Sequence, residues 1–323
     1  MLILSESDVA AVLSMHDAIE IVQSAFVEHA NGQAVFPLRS VARGDAGLLG
    51  AMPGSIRGEH GALGAKLVTV FAGNAALGKH THNAAIALFS STTGEPLALV
   101  DGRYITEIRT AAASAVATRA LARAESSTVA ILGTGVQARA HIEAMCTLQS
   151  VRFIHIWGRE SAKAAELAAH ASAGRISVNA ADTVGDACRG ADIVCTVTAS
   201  AEPILDAHHV AQGTHINAVG ACTPRAREIA AELVGRARIV CDSREGALAE
   251  AGDIMLAIRD GALPPQPDIA LLGEVLAGKT EGRRSDADIT LFESLGVAIE
   301  DLACAAAVYQ RAVVKGAGVT VSL

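Results

Sequence analysis

The stretch TVAILGTGVQARAHI, residues 128–142, decides how the rest of the chain is read. Thr128, Val129, Ile131 and Leu132 form a short apolar run rich in β-branched side chains, which suits a buried strand. Gly133-Thr134-Gly135-Val136-Gln137-Ala138 follows at once and opens a segment of helix-forming composition. In a strand, turn and helix in that order, the pattern GxGxxA has a physical task. The first glycine permits the tight turn, the second lets a pyrophosphate approach the backbone, and the small Ala138 lets the helix pack on the sheet. Free amides of the first helical turn, with the helix dipole, then favour an anion. An α/β turn that needs glycine only for steric reasons would leave the same pattern, so the flanking sequence must carry part of the inference.

The flanks agree. Downstream come a helix VQARAHIEAMCTL (136–148), a strand VRFIHIWGR (151–159), a helix SAKAAELAAHA (161–171), and strands ADIVCTVTA (191–199), THINAVGA (214–221) and ARIVCDS (237–243). This alternation predicts a parallel sheet covered on both faces, the doubly wound Rossmann arrangement, and hence an α/β fold with a dinucleotide site. An NAD site usually has Asp or Glu at the end of the second strand, for the ribose 2′-hydroxyl. FIHIWGRES (153–161) has Gly158 there, followed by Arg159, a guanidinium able to accept a 2′-phosphate. NADP(H) is therefore favoured and NAD(H) is the alternative. On that alternative Arg159 is a solvated strand-end residue and Glu160 takes the acid's role.

Upstream, Ser5 with Asp8 and Ser14 with Asp17 have the spacing of helix caps, and Ile19, Val22 and Phe26 mark one face of the second helix, which should stop near Asn31-Gly32. Between residues 35 and 100, GAKLVTVF (64–71), AAIALFS (84–90) and PLALVD (96–101) read as strands, with SSTTGEP (90–96) as a hairpin-type turn. YITEIRTAAASAVATRALA (104–122) lacks Gly and Pro and predicts one long helix ending near Ala124, the link between domains. GALPPQPD (261–268) must be irregular, and ITLFESLGVAIEDLACAAAVYQRAV (289–313) should finish with an amphipathic helix carrying Leu295, Ile299, Leu302 and Ala306 on one side.

A chain of 323 residues suits two domains. A net charge of -8 argues against a general polyanion binder, so no nucleic-acid partner is expected. Cys146, Cys188, Cys195, Cys222, Cys241 and Cys304 are scattered without CxxC pairs, as for free thiols in a reducing compartment. MLILSESDVAAV lacks the basic start of a signal peptide, and the Ala-rich run 111–122 is too short for a bilayer of about 30 Å. A cytoplasmic protein without a membrane partner is expected.

Taken together, GAKLVTVF, TGEPLALVDGRYITEIRTAAASAVA (93–117), GTGVQA, NAVGACTPRAREI (217–229) and FESLGVAIEDLACA (292–305) resemble the ornithine cyclodeaminase/mu-crystallin family, in that family's order. ALVDGRYIT with RTAA is the most specific part. The resemblance implies that Arg39, Lys66 and Arg109 face a substrate, and that Thr81, the 133–138 loop, Thr198, the 217–220 segment with Asn217 and Val219, and Ser294 surround the cofactor. It also implies a homodimer. Residues 1–116 and 292–323 would form an α+β substrate-binding and dimerisation domain, into which a Rossmann domain of residues 117–291 is inserted.

Residue chemistry is consistent with those roles. Arginine is the best bidentate partner for the carboxylate of a small amino or imino acid, and a desolvated Lys66 with a lowered pKa could exchange a proton with the substrate. Taken alone, Lys66 reads equally as a strand lysine that snorkels and either arginine as a surface ion pair. In the cyclodeaminases of the family an aspartate shortly follows the VGG-type turn, whereas NAVGACTP has Cys222. A thiol cannot supply that carboxylate, so an NAD(P)H-dependent reductase of small imino acids, within proline or related amino-acid metabolism, is expected. The alternatives are an ornithine cyclodeaminase with catalytic NAD and a mu-crystallin-like NADP-dependent binding protein. His80 and His82 lack a nearby third ligand, so no metal is expected, and His208, His209 and His215 read as loop or helix-start residues.

Overall fold

A computed structural model of the chain describes residues 1–58, 61–171 and 175–322. The chain forms two compact units, Met1–Arg109 with Gly296–Leu323, and Thr110–Leu295.

In chain order the first unit begins with β1 (Leu2–Leu4), α1 (Glu6–Ala10), α2 (Met15–Ala30), β2 (Ala34–Val35), β3 (Ser40–Arg43), β4 (Leu48–Ile56), β5 (Ala62–Val70), β6 (His82–Phe89) and β7 (Pro96–Asp101). The helix α3 (Gly102–Leu121) follows, and the division between units falls within it. Next come β8 (Thr128–Leu132), α4 (Val136–Cys146), β9 (Phe153–Trp157), α5 (Ser161–Ala171), β10 (Ser177–Ala180), α6 (Val184–Cys188) and β11 (Ile193–Thr196). The second unit is completed by β12 (His215–Ala218), α7 (Ala231–Arg236), β13 (Arg238–Cys241), α8 (Arg244–Ala249), α9 (Gly252–Arg259), β14 (Ile269–Leu271), α10 (Leu272–Leu276) and β15 (Thr290–Glu293). The chain then returns to the first unit with α11 (Ala298–Lys315) and β16 (Val319–Thr320).

Both early helices start as their sequences direct. Ser5 and Ser14 accept from the amides of Asp8 and Asp17, whose carboxylates accept in turn from the cap amides, each cap stabilising its helix by about 0.5–2 kcal/mol. Ile19, Val22 and Phe26 are fully buried, and removing each from water contributes about 1.5–3 kcal/mol. α2 ends before Asn31, and Gly32 takes the positive φ of 73° that turns the chain out of the helix.

The sheet of the first unit runs β16-β1-β7-β6-β5-β4-β2, with β3 also on β4, and all pairs are antiparallel except β1 with β7. Its two faces differ by residue parity. Met52, Ile86, Leu88, Ala98 and Val100 are buried on the face covered by α11 and α2. Register places Ile3, Leu49, Leu63, Leu67, Phe89 and Leu99 together on the opposite face, where all are exposed.

The second unit holds an all-parallel sheet in the order β10-β9-β8-β11-β12-β15-β13-β14. Strands β11, β12 and β15 are buried at every position, as helices on both faces require. The chain leaves β8 toward β9 and β10, then resumes on the other side with β11, so the topological switch point lies between β8 and β11.

The structure corrects several expectations. Leu295, expected on the final amphipathic helix, lies before α11, and TLFE ahead of it is the interior strand β15; Ile299, Leu302 and Ala306 are among the buried residues of α11. α3 ends at Leu121, short of Ala124. His215, read as a loop or helix-start residue, is a fully buried strand residue whose ring bonds Thr290 and Asn217.

Candidate functional site

In the first unit, strand parity sends Lys66 of β5 to the covered face, in register with the buried Met52 and Ile86. An ammonium there needs partners. α11 supplies Asp301, whose Oδ2 lies 2.7 Å from Lys66 Nζ, and Thr106 Oγ1 of α3 accepts from Nζ at 3.4 Å. Burial pushes the Lys66 pKa down to about 8, the Arg109 charge adds to that push, and Asp301 and Glu300 oppose it.

Arg109, also buried, donates from Nε to Asp301 Oδ1 at 3.0 Å and from Nη1 to Glu300 Oε2 at 2.8 Å. Burial disfavours the guanidinium charge, but the two carboxylates outweigh it and raise its pKa. Glu300 Oε1 accepts from the Val297 amide at 3.0 Å, so one carboxylate both caps α11 and holds Arg109. Burial raises the Glu300 pKa, and the Arg109 charge pulls against that rise. Gly296, at φ 73°, lies against Arg109: a Cβ there would come within 2.3 Å of Nη1. Its carbonyl accepts from Arg39 Nη2 at 3.3 Å. The structure thus gathers Lys66, Arg109 and Arg39 around Gly296, Glu300 and Asp301.

Asp301, Glu300 and Thr106 were missed by the sequence reading. The available signal was charge balance, since two cations buried on one face require counter-charges, and Glu300-Asp301 are the acids inside the apolar run 295–308. Thr81 lies at the entrance to β6, where its hydroxyl bonds His82 Nδ1 at 3.1 Å.

In the second unit, Gly133, Val197, Val219 and Ser294 each follow the last residue of β8, β11, β12 and β15, and register aligns those strand ends in one row. This row is the carboxyl edge of the sheet beside the switch point, where open α/β folds bind ligands. Gly133 has φ 140°, and a Cβ on it would meet the Val197 carbonyl at 2.8 Å. Gly135 is the N-cap of α4, has open space at its Cβ position, and provides no side-chain cap to the first amides of α4. Thr134 is partly exposed and Val136 exposed. Gln137 Oε1 and Ser294 Oγ are buried with no hydrogen-bond partner among the described residues.

Other residues are engaged by the protein itself. Thr198 donates its hydroxyl to Glu228 and accepts from the Ser200 amide, and Asn217 is fully buried and bonds Thr118, His215 and Cys195. Cys222 Sγ lies 3.2 Å from the Val219 carbonyl and 3.7 Å from the Ser294 carbonyl, which share its single thiol proton. Arg159 is exposed. Gly158 packs on the glycine loop, where a Cβ would lie 2.4 Å from Thr134 Cγ2, so a side chain at 158 would require that of Thr134 to move. Glu160 pairs with Lys163 at the surface.

Among the described residues, Asp206, His208 and His209 have metal-like spacing. His209 Nδ1 accepts from the Asp206 amide, however, so the neutral ring carries its proton on Nε2 and acts as a cap. No helix among the described residues is long and apolar enough to cross a membrane.

These features define a first unit with a buried lysine, arginine and carboxylate cluster and a second, Rossmann-type α/β unit. The chain belongs to the ornithine cyclodeaminase/mu-crystallin family, whose model matches residues 1–316. It is 38% identical to the ketimine reductase mu-crystallin of Mus musculus over 90% of each chain. Its fold matches a Δ1-pyrroline-2-carboxylate reductase of Thermococcus litoralis in complex with NADH and L-proline, at TM-score 0.95 and 36% identity, covering 99% of this chain and 100% of that one. An archaeal alanine dehydrogenase dimer with bound NAD matches at TM-score 0.94 and 34% identity, covering 100% and 99%.

Proposed function

We propose that this chain is an NAD(P)H-dependent reductase of small cyclic or open-chain imino acids, Δ1-pyrroline-2-carboxylate and similar ketimines. The observation that carries this reading is the buried cluster in which Lys66 and Arg109 share Asp301 while Arg39 and Arg109 both border Gly296. The relatives support it, since one is a pyrroline-carboxylate reductase with NADH and L-proline and another a ketimine reductase.

Arg39, with the N–H groups that Arg109 keeps beyond Asp301 and Glu300, would hold the substrate carboxylate and so fix the orientation of Cα and the imine nitrogen. Lys66, with its pKa near 8, carries a proton at neutral pH and can give it to that nitrogen as the C=N bond becomes a C–N bond. A nicotinamide dinucleotide, when bound, would supply the hydride that imine reduction requires. Gly133, the free amides of α4, Gln137 and Ser294 are the groups that would hold it. NADP(H) is favoured, because Gly158 has no carboxylate for the ribose 2′-hydroxyl and Arg159 stands next to it. Cys222, committed to two carbonyls, offers no acid or base for ring closure with ammonia loss.

The exposed apolar sheet face of the first unit, from Ile3 and Leu99 across to Leu67 and Leu49, is the surface through which two copies would pair, as the dimeric state of the archaeal relative suggests. Leu67→Lys should convert the dimer to monomer in sedimentation analysis, and a dimer untouched by it would place the interface elsewhere. The reaction itself is tested by following NADPH oxidation with a panel of imino acids.

A further inference from the structure

Glu228 lies in the segment between β12 and α7, is fully buried, and has no cation paired with it among the described residues. Its carboxylate is satisfied by two loops. Oε1 accepts from the Thr198 amide at 2.7 Å and the Thr198 hydroxyl at 2.6 Å, while Oε2 accepts from the Gly220 amide at 2.7 Å. Thr198 follows β11 by two residues and Gly220 follows β12 by two, so one carboxylate bridges adjacent loops at the carboxyl edge of the sheet.

The fit leaves no slack. A Cβ on Gly220 would lie 2.1 Å from the Thr198 carbonyl and 2.4 Å from Glu228 Oε2. The Glu228 backbone is itself pinned from both sides. Its amide donates to Asp253 Oδ1 at 3.0 Å, and its carbonyl accepts from the Ile204 and Leu205 amides at 2.8 and 3.0 Å. Val197, next to Thr198, is in turn the wall against which Gly133 of the glycine loop packs. A continuous set of contacts therefore runs from Asp253 through Glu228 to the loops bordering the glycine turn.

We infer that Glu228 is a positioning residue for the dinucleotide, setting the separation of the 198 and 220 loops without touching the cofactor. This inference rests on the proposed dinucleotide site. A carboxylate suits the task because all three donors point at it, and a charged acceptor makes each hydrogen bond stronger than a neutral one would. Glutamine cannot replace it. With its oxygen toward Thr198, its NH₂ would face the Gly220 N–H, donor against donor.

The test uses the full chain carrying Glu228→Gln or Glu228→Asp. NADPH and NADH dissociation constants are read by fluorescence titration, the KM for Δ1-pyrroline-2-carboxylate by steady-state kinetics, and amide exchange of peptides containing residues 198 and 220 by mass spectrometry. Glu228→Gln should weaken dinucleotide binding by about tenfold or more, since a hydrogen bond to a charged group is lost and a donor left unpaired. The imine KM should change by less than about threefold. Exchange should rise in the 198 and 220 peptides but not in β13. Glu228→Asp keeps the charge at shorter reach and should fall between glutamine and the unmodified protein. If Glu228→Gln does not fold, Glu228→Asp decides by the same measurements. Unchanged dinucleotide affinity in a folded variant, or an equal loss in affinity, imine KM and global exchange protection, would overturn the inference. If the unmodified protein binds neither dinucleotide, the functional reading fails and the inference falls with it, while unaltered exchange at 198 and 220 alongside normal cofactor binding removes the inference alone.

Discussion

Asp301 joins the two buried cations of the first unit: its Oδ2 lies 2.7 Å from Lys66 Nζ and its Oδ1 accepts from Arg109 Nε at 3.0 Å. One carboxylate therefore fixes the distance between the group proposed to carry a proton and a group proposed to hold the substrate. Any change at Asp301 should be felt at both.

The proton on Lys66 gives imine reduction a defined pH dependence. Reduction needs the ammonium, so kcat should fall as pH rises through about 8, and Lys66→Met should be slow at every pH and lack that limb. Asp301→Asn removes an opposing charge and should move the limb to lower pH. A limb that stays in place in Lys66→Met would assign the titration to another group. Stability has its own sign. The unfolded chain keeps this proton up to 10.5 and the folded chain only up to about 8, so across that window the unfolded state binds more protons and Lys66 adds stability as pH rises. Below about 8 the full cost of burying the ammonium is present.

Arg109→Ala should abolish turnover and also lower stability, by about 3–5 kcal/mol, because Glu300 and Asp301 lose a buried partner. Arg109→Lys keeps the charge without the fork, and should recover more stability than activity. Dinucleotide affinity should stay within a few-fold in either variant. Thermal unfolding and single-turnover rates check this, and near-normal rates in Arg109→Ala would return the residue to a structural role.

NADPH should bind more tightly than NADH, by about tenfold to a hundredfold for one charge-assisted hydrogen bond, and Arg159→Ala should remove most of the difference. The structure adds a second expectation. Gly158→Asp should lower the affinity for both cofactors, since its Cβ would push on the Thr134 side chain of the glycine loop. Equal dissociation constants for NADH and NADPH in the unmodified protein would refute the preference.

The glycine loop was legible because strand, turn and helix each leave an independent mark on residues 128–142. The caps at Ser5 and Ser14 were legible for the same reason, being local. What escaped is set by partners distant in sequence. The strands β10 and β14 span four and three residues, too short for a period to show, and TLFE of β15 has apolar spacing that fits strand or helix until the sheet claims it. Asp301 bonds a residue 192 positions away, and Glu228 holds a loop 30 positions upstream. No window on the sequence contains both ends of either contact.

The central claim is that imine reduction, and not cyclisation of ornithine, is the chemistry of this chain. Ring closure with loss of ammonia needs acid and base help worth about 10²–10⁴-fold, and at the place of the expected aspartate Cys222 spends its thiol on the carbonyls of Val219 and Ser294. The most direct measurement incubates the purified protein with ornithine and catalytic NAD, and separately with Δ1-pyrroline-2-carboxylate and NADPH, and follows ammonia, proline and cofactor oxidation. The account predicts proline formed with stoichiometric NADPH oxidation from the imine, and little or no ammonia from ornithine. Rapid, equal release of ammonia and proline from ornithine, with no imine-dependent NADPH oxidation, would contradict it.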